Sequence, residues 1–338
     1  MGKKGILLVN LGTPDSPSTP DVKKYLDQFL MDERVIDINA VSRTLLVKGI
    51  ITPFRSSKSA KLYKEIWTEE GSPLLIYGER LRAAIAQKLG ENYQVELAMR
   101  YQSPSISDAL ERFRQAKVDS IKVVPLFPQY ASASTGSVHQ LVMEIVSKWQ
   151  AIPALSFVNS YCDHPGMIKV FAKNARKYLP EAYDHVLFSF HGIPQRQMKK
   201  ADVSGVHCLQ VEKCCETLTE NNKFCYSAQC YRTKDEIVRE LGLTKDDYTL
   251  CFQSRLGNDP WMQPYTSDVL KELAAQGKKR LLVLCPAFVA DCLETLYEIS
   301  YEYQEEFQKL GGEEVQLVES LNDDPDWVEA LTDIILTK

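Results

Sequence analysis

Short runs of consecutive apolar residues alternate along this chain with longer stretches whose apolar positions recur every three or four residues. Segments 5–14, GILLVNLGTP, and 185–194, HVLFSFHGIP, each read as a buried strand closed by a Gly-x-Pro turn. A second pair, SIKVVPLFPQYAS at 120–132 and RLLVLCPAFVAD at 280–291, shares an apolar run interrupted by proline and follows in the same order within its half. Two such matches predict a duplicated architecture. Between the runs, 73–90, 105–117 and 167–180 carry helical spacing. Strands alternating with helices predict an α/β fold: two similar doubly wound, Rossmann-like domains, 1–157 and 158–338, each a parallel sheet flanked by helices, with a cleft between them. Ligands of such sheets bind beyond the carboxyl ends of the strands. Residues 12–14, 129–137, 191–194 and 287–294 are therefore expected around that cleft.

Length agrees with two domains, since 338 residues exceed what one hydrophobic core usually organises. A formal net charge of −5 argues against general nucleic-acid binding, which needs a basic surface. The longest apolar runs stop short of the roughly 18 to 20 residues that cross a bilayer. No secretory signal precedes the first strand, so a cytoplasmic location is expected, with membrane contact at most peripheral. The stretch 42–58, SRTLLVKGIITPFRSSK, mixes apolar residues with Arg43, Lys48, Arg55 and Lys58. It reads either as a helix with a solvated basic face or as a lip that holds an apolar ligand with acidic tails and touches a membrane surface.

Candidate chemistry concentrates in the second half. His191 closes an apolar run directly before Gly192, and an imidazole with a pKa near 6.5 can accept a proton or bind a metal near neutral pH. The plain alternative is a satisfied structural histidine. Glu294, Glu298 and Glu302 are spaced by four, which makes one acidic stripe on a helix. That stripe is either a solvated face or a file of oxygen ligands, with Asp291 orienting a neighbour. Of nine cysteines, Cys208, Cys214, Cys215, Cys225 and Cys230 fall in one short stretch, while Cys162, Cys251, Cys285 and Cys292 lie near apolar segments and read as packing residues. Clustered thiols suit structural zinc or an iron–sulfur centre, and the spacing lacks the paired CxxC knuckles of a zinc ribbon. Unliganded thiols are the third reading.

VNLGTP, YLDQFL, GSPL at 71–74, MRY at 99–101, PLFPQY followed by STGS, FSFHGIP at 188–194, FQSRLGNDPW and DCLETLYE at 291–298 occur in the order of similar motifs in ferrochelatases. The chain resembles that family nearly end to end, and the family's two-half α/β fold agrees with the pattern above. The resemblance implies a lyase of haem biosynthesis that inserts ferrous iron into a porphyrin, with protoporphyrin IX favoured by the long apolar lip at 29–58. The family's invariant histidine falls on His191 and its active-site glutamate on Glu294. Its helix with π-type turns and a file of acids matches Asp291, Glu294, Glu298 and Glu302, a metal path. The same match puts Leu11, Tyr63, Ser72, Arg100, Tyr101 and Trp261 along the porphyrin slot and Arg55 and Lys58 near the propionates. Cys292 stands where animal members have a histidine, as in some bacterial members.

Many ferrochelatases carry a 2Fe-2S cluster. The animal type takes most ligands from a carboxyl-terminal extension; no cysteine follows Cys292 here, and that type's remaining ligand falls on Ser132. Segment 208–230 resembles a bacterial class that holds the cluster internally, which implies Cys208, Cys225, Cys230 and one of Cys214 and Cys215 as ligands. The competing readings are a chelatase for coproporphyrin or cobalt, and an iron–sulfur haem-binding or redox sensor protein. Family members occur as monomers and homodimers.

Overall fold

Strands made of consecutive Val, Ile, Leu and Phe have no polar face, so they are stable only where helices cover both sides of a sheet. The computed structural model describes all residues except Met1, Pro180, Glu181, Leu256, Asn258 and Lys338. The last residue of the 167–180 stretch and two positions of FQSRLGNDPW therefore lie outside the described residues. One sheet comprises β1 (Lys4–Gly12), β2 (Tyr93–Tyr101), β3 (Ser120–Pro125) and β4 (Ala154–Phe157), in the order β2-β1-β3-β4. The other comprises β5 (His185–His191), β6 (Tyr248–Gln253), β7 (Arg280–Leu284) and β8 (Glu314–Leu317), in the order β6-β5-β7-β8. Every pairing is parallel. The two orders are the same once each sheet is counted from its own first strand, so the duplication is present in the topology.

Each sheet carries its own core. Helices Ile106–Gln115 and Ser137–Val146 pack Leu110, Phe113 and Val142 with Leu7, Val9 and Val123 of the first sheet. Helices Thr266–Ala275 and Gln304–Lys309 pack Leu270 and Phe307 with Leu187 and Val283 of the second. The chain divides into two compact units, Met1–Phe127 with Ala131–Ser160 and Leu331–Lys338, and Pro128–Tyr130 with Tyr161–Ala330. Gly12, at the end of β1, has φ +131°, and a Cβ there would meet the Tyr101 carbonyl oxygen at 2.2 Å. Only glycine lets the VNLGTP turn lie this close to β2.

Three stretches of the described residues take the wide π turn: Leu45–Ile51, Ser132–Gly136 and Glu298–Tyr303. Such turns are rare and concentrate at functional sites. Here they fall in the basic apolar segment, in STGS and in the acidic stripe. Among the described residues, no helix is long and apolar enough to cross a membrane.

Candidate active site

His191 is the last residue of β5 and lies opposite Gln253, the last residue of β6. The next residue, Gly192, donates its N–H to the Gln253 carbonyl at 2.9 Å. A Cβ on Gly192 would stand 3.0 Å from that oxygen, a tight approach, and in ordinary contact with Trp261 Cε3 at 3.5 Å, so the small residue lets the turn close against β6. Trp261 is fixed beside this turn by a bridge to Pro194 and by Gln195 Nε2, which donates to its carbonyl at 3.2 Å. The His191 ring meets Phe288 edge-on, with centroids 6.3 Å apart.

The imidazole's tautomer follows from one contact. Nδ1 lies 2.7 Å from the Gly192 carbonyl oxygen, which can only accept, so Nδ1 carries the hydrogen and Nε2 holds the lone pair. Nε2 has no hydrogen bond among the described residues. Burial pushes the His191 pKa down, while the Glu294 carboxylate and the Gly192 carbonyl pull against it; the net shift is downward. His191 is thus a neutral base with its acceptor nitrogen free and a carboxylate close enough to stabilise the cation.

Glu294 belongs to a short helix, Leu293–Leu296, that runs into the π turn Glu298–Tyr303. The Tyr297 carbonyl accepts from both Tyr301 N, at 3.0 Å, and Glu302 N, at 3.2 Å. On an α-helix, residues four apart drift by about 40° around the axis. The wider turn begins at Glu298 and offsets that drift on the way to Glu302. Glu298 responds to both neighbours: burial first, then the charges of Glu294 and Glu302, raise its pKa to about 7. Opposing this, Ser254 Oγ donates to Glu298 at 2.6 Å and Gln253 Nε2 at 3.0 Å. Ser254 has φ +66°, an uncommon conformation for a residue with a side chain. Glu302 is exposed.

Gln253, buried at the end of β6, ties the two halves of this arrangement together. Its amide also donates to the Glu294 carbonyl at 2.8 Å, and its Oε1 accepts from Ser189 Oγ, also at 2.8 Å. Asp291 is buried and already engaged, accepting from Asn322 Nδ2 at 2.8 Å, Thr295 Oγ1 at 3.1 Å and Ser320 N at 3.2 Å. Its position orients the start of the acidic helix. Cys292 is buried, and burial together with the Glu294 charge pushes its thiol pKa up, so it stays protonated.

In the first unit, Leu11 and Arg100 lie near the carboxyl ends of β1 and β2, half-buried, and Tyr101 beside them is buried. Ser72 is buried and accepts from Thr13 Oγ1 at 2.8 Å. Tyr63 is buried on helix Thr52–Ile66, its ring edge-on to those of Tyr25 and Trp67. Arg55 and Lys58 project from the same helix into solvent. Sequence patterns missed Gln253, Ser254 and Asp32; the first two stand inside FQSRLGNDPW, which signals them only as part of a motif.

The five clustered cysteines are partly assembled. Cys214 and Cys215 have sulfurs 3.5 Å apart, Cys215 hydrogen-bonds Cys225, and the charges of Cys214 and Cys215 act on Cys208. Cys230 is fully buried and hydrogen-bonds Tyr226. A cavity of about 200 Å³ opens here, lined by His207, Cys208, Cys214, Lys223 and Cys225 among others. Among the described residues, no three or more His, Cys, Asp or Glu side chains stand ready to hold a metal ion. Cys208, Cys214, Cys215 and Cys225 are thus linked pairwise by hydrogen bonds and electrostatic contact without forming such a set.

Two parallel-sheet units with a neutral histidine facing a carboxylate at the end of a strand define an α/β enzyme of the chelatase fold. The likeness extends to SirB from Bacillus subtilis with Fe3+, at a TM-score of 0.52 and 13% identity over 98% of this chain and 94% of that one. The family model described as Ferrochelatase matches residues 3–338. A Ferrochelatase of Legionella pneumophila (strain Lens) is 42% identical over 98% of both chains. One of Coxiella burnetii (strain Dugway 5J108-111) is 42% identical over 97% of this chain and 92% of its own. The chain therefore belongs to the ferrochelatase family, enzymes that insert iron into a porphyrin in haem synthesis.

Proposed function

We propose that the chain inserts ferrous iron into protoporphyrin IX, with His191 as first proton acceptor and Glu294 as its charge partner. Metallation removes two pyrrole protons and replaces them with one divalent ion. The observation that carries the assignment is a neutral imidazole with Nε2 unengaged beside the Glu294 carboxylate. Nε2 takes a pyrrole proton, and Glu294 lowers the cost of the imidazolium that results. Glu298, with a pKa near neutrality, suits a second transfer or a hand-off of iron from Glu302 inward. Trp261 offers a flat face for the macrocycle, and Leu11, Tyr63, Ser72, Arg100 and Tyr101 serve as the first unit's porphyrin contacts. Arg55 and Lys58 pair with the propionates.

Preference for protoporphyrin over coproporphyrin rests on the apolar character of 29–58. A cytoplasmic enzyme resting on a membrane through this lip fits the exposed Leu45 and Phe54. The test is loss of porphyrin fluorescence with ferrous iron, measured anaerobically with both porphyrins. His191→Ala is expected to lower turnover by at least about 100-fold. Near wild-type insertion by that variant would remove His191 as the base.

Four of Cys208, Cys214, Cys215, Cys225 and Cys230 hold a 2Fe-2S cluster in this reading. Support comes from the segment itself: residues 202–225 have almost no regular structure and expose Val203, Val206, Val211 and Phe224, so little apolar burial holds them. When bound, the cluster would cross-link this segment and supply a one-electron centre. Visible absorbance of a 2Fe-2S centre on anaerobically purified protein is expected; colourless protein with stoichiometric zinc would refute it.

A further inference from the structure

Asp32 ends helix Thr19–Met31 with its side chain only 6% exposed, yet no motif singles it out. Its Oδ2 accepts three hydrogen bonds: from Ser137 Oγ at 2.5 Å, Arg100 Nη2 at 2.6 Å and Tyr101 OH at 2.9 Å. Its Oδ1 takes a fourth, from Arg34 N at 2.7 Å. Ser137 completes a ring, because its Oγ also accepts from Arg100 Nε at 2.6 Å. Two of the guanidinium's three nitrogens are thereby occupied, and among the described residues Nη1 alone has no hydrogen bond. The guanidinium lies over the Tyr101 ring, 4.7 Å from its centroid, so its plane is fixed as well. One helix end thus sets the position of two adjacent residues at the carboxyl edge of β2, where ligands of parallel sheets bind.

We infer that Asp32 is a positioning residue for porphyrin binding: it pins Arg100 and Tyr101 and balances the arginine's charge, so that Arg100 presents one directed N–H face to the substrate. The inference rests on the reading of Arg100 as a porphyrin contact. A buried carboxylate with four donors would be a costly feature for packing alone, since removing it strands a guanidinium and two hydroxyls. The geometry has a further consequence. An unbalanced guanidinium would collapse toward other acceptors, and Tyr101 would lose the bond that fixes its hydroxyl.

The experiment is a double-mutant cycle on the full chain, using porphyrin consumption at saturating ferrous iron, with melting temperatures measured on every variant. Asp32→Asn is expected to raise the porphyrin KM and lower kcat/KM by about tenfold, with the iron KM unchanged. Arg100→Ala should lose about as much, and the double variant should be no worse in kcat/KM than Arg100→Ala. Its melting temperature should still fall, which separates positioning from plain stability. Ser137→Ala supplies a milder arm: a loss of about threefold expected in the wild-type background and absent in Arg100→Ala. If Arg100→Ala keeps its kcat/KM, the substrate role of Arg100 fails and the inference with it. If Arg100→Ala is impaired but the Asp32 and Ser137 losses multiply with it, the inference alone is overturned.

Discussion

His139 lies against Phe157, ring centroids 4.6 Å apart, and its buried Nε2 has no hydrogen-bond partner. Burial, with some help from the Arg34 charge, pushes its pKa down to about 4. Above pH 6.5 it is neutral in both the folded and unfolded chain. As pH falls from 6.5 through 4 the unfolded chain binds the proton first, so stability is lost, by at most about 3 kcal/mol. Melting temperature against pH should therefore slope downward on the acid side, and His139→Leu should flatten that slope; parallel curves would show that this histidine does not drive it. Glu298 runs the other way. Its raised pKa means that stability is full below about 4.5 and declines as pH rises to about 7, because the unfolded carboxyl ionises first. Glu298→Gln is expected to melt higher than wild type at pH 8, similarly near pH 4.5, and to raise the iron KM severalfold. An iron dependence equal to wild type would count against a metal path through Glu298. His191 and Glu294 are legible in sequence because each sits in a compact motif at the end of an apolar run. Gln253, Ser254 and Asp32 are not. The partners of Gln253 and Ser254 on the acidic helix lie 41 to 45 positions away, and the side chains that Asp32 holds lie 68 to 105 away, beyond any local spacing rule.

At the scale of elements, hydrophobic pattern picks out β1, β3, β5 and β7, and these are the central strands of the two sheets. The edge strands β2, β4 and β8 escape it because one side meets solvent or half-buried surface: β2 carries Gln94, Glu96 and Arg100, β4 has no fully buried position and β8 alternates. The strand order itself needs the pairing, which pattern does not contain. The π turn at Glu298–Tyr303 follows from family likeness rather than spacing, since a period of four fits an ordinary helix equally well. Removing one residue from it tests its purpose. Deleting the exposed Tyr301 should restore the α repeat, bring Glu302 to three residues after Glu298, and rotate it out of the file. The expected result is a folded chain, by circular dichroism and a melting temperature within several degrees of wild type, with a clearly higher iron KM. An unchanged iron KM would mean that the alignment of the three acids is incidental.

For the molecule as a whole, the duplicated topology was visible as two matched pairs of motifs, but the basic apolar segment kept two readings open, a solvated helix face or a lip. Exposure bears on that choice. Phe54 is 80% exposed, Val41 71%, Leu45 67% and Ile50 59%, far more apolar surface than a solvated helix face tolerates in so short a stretch. Lys48, Arg55 and Lys58 stand exposed among them. Apolar side chains flanked by lysine and arginine match the interface of an anionic bilayer, where burial contributes about 25 cal/mol per Å² and the cations add an attraction that salt screens. Wild-type protein is therefore expected to sediment with vesicles containing anionic phospholipid, less so at high salt, and hardly at all with neutral vesicles. Leu45→Glu with Phe54→Glu should abolish that binding, because two carboxylates would have to enter the interface. Insertion measured with porphyrin dissolved in detergent should persist with a raised porphyrin KM, since the same segment is the proposed porphyrin lip. Vesicle binding that survives both substitutions would place the membrane contact elsewhere and leave the exposed apolar surface to porphyrin capture.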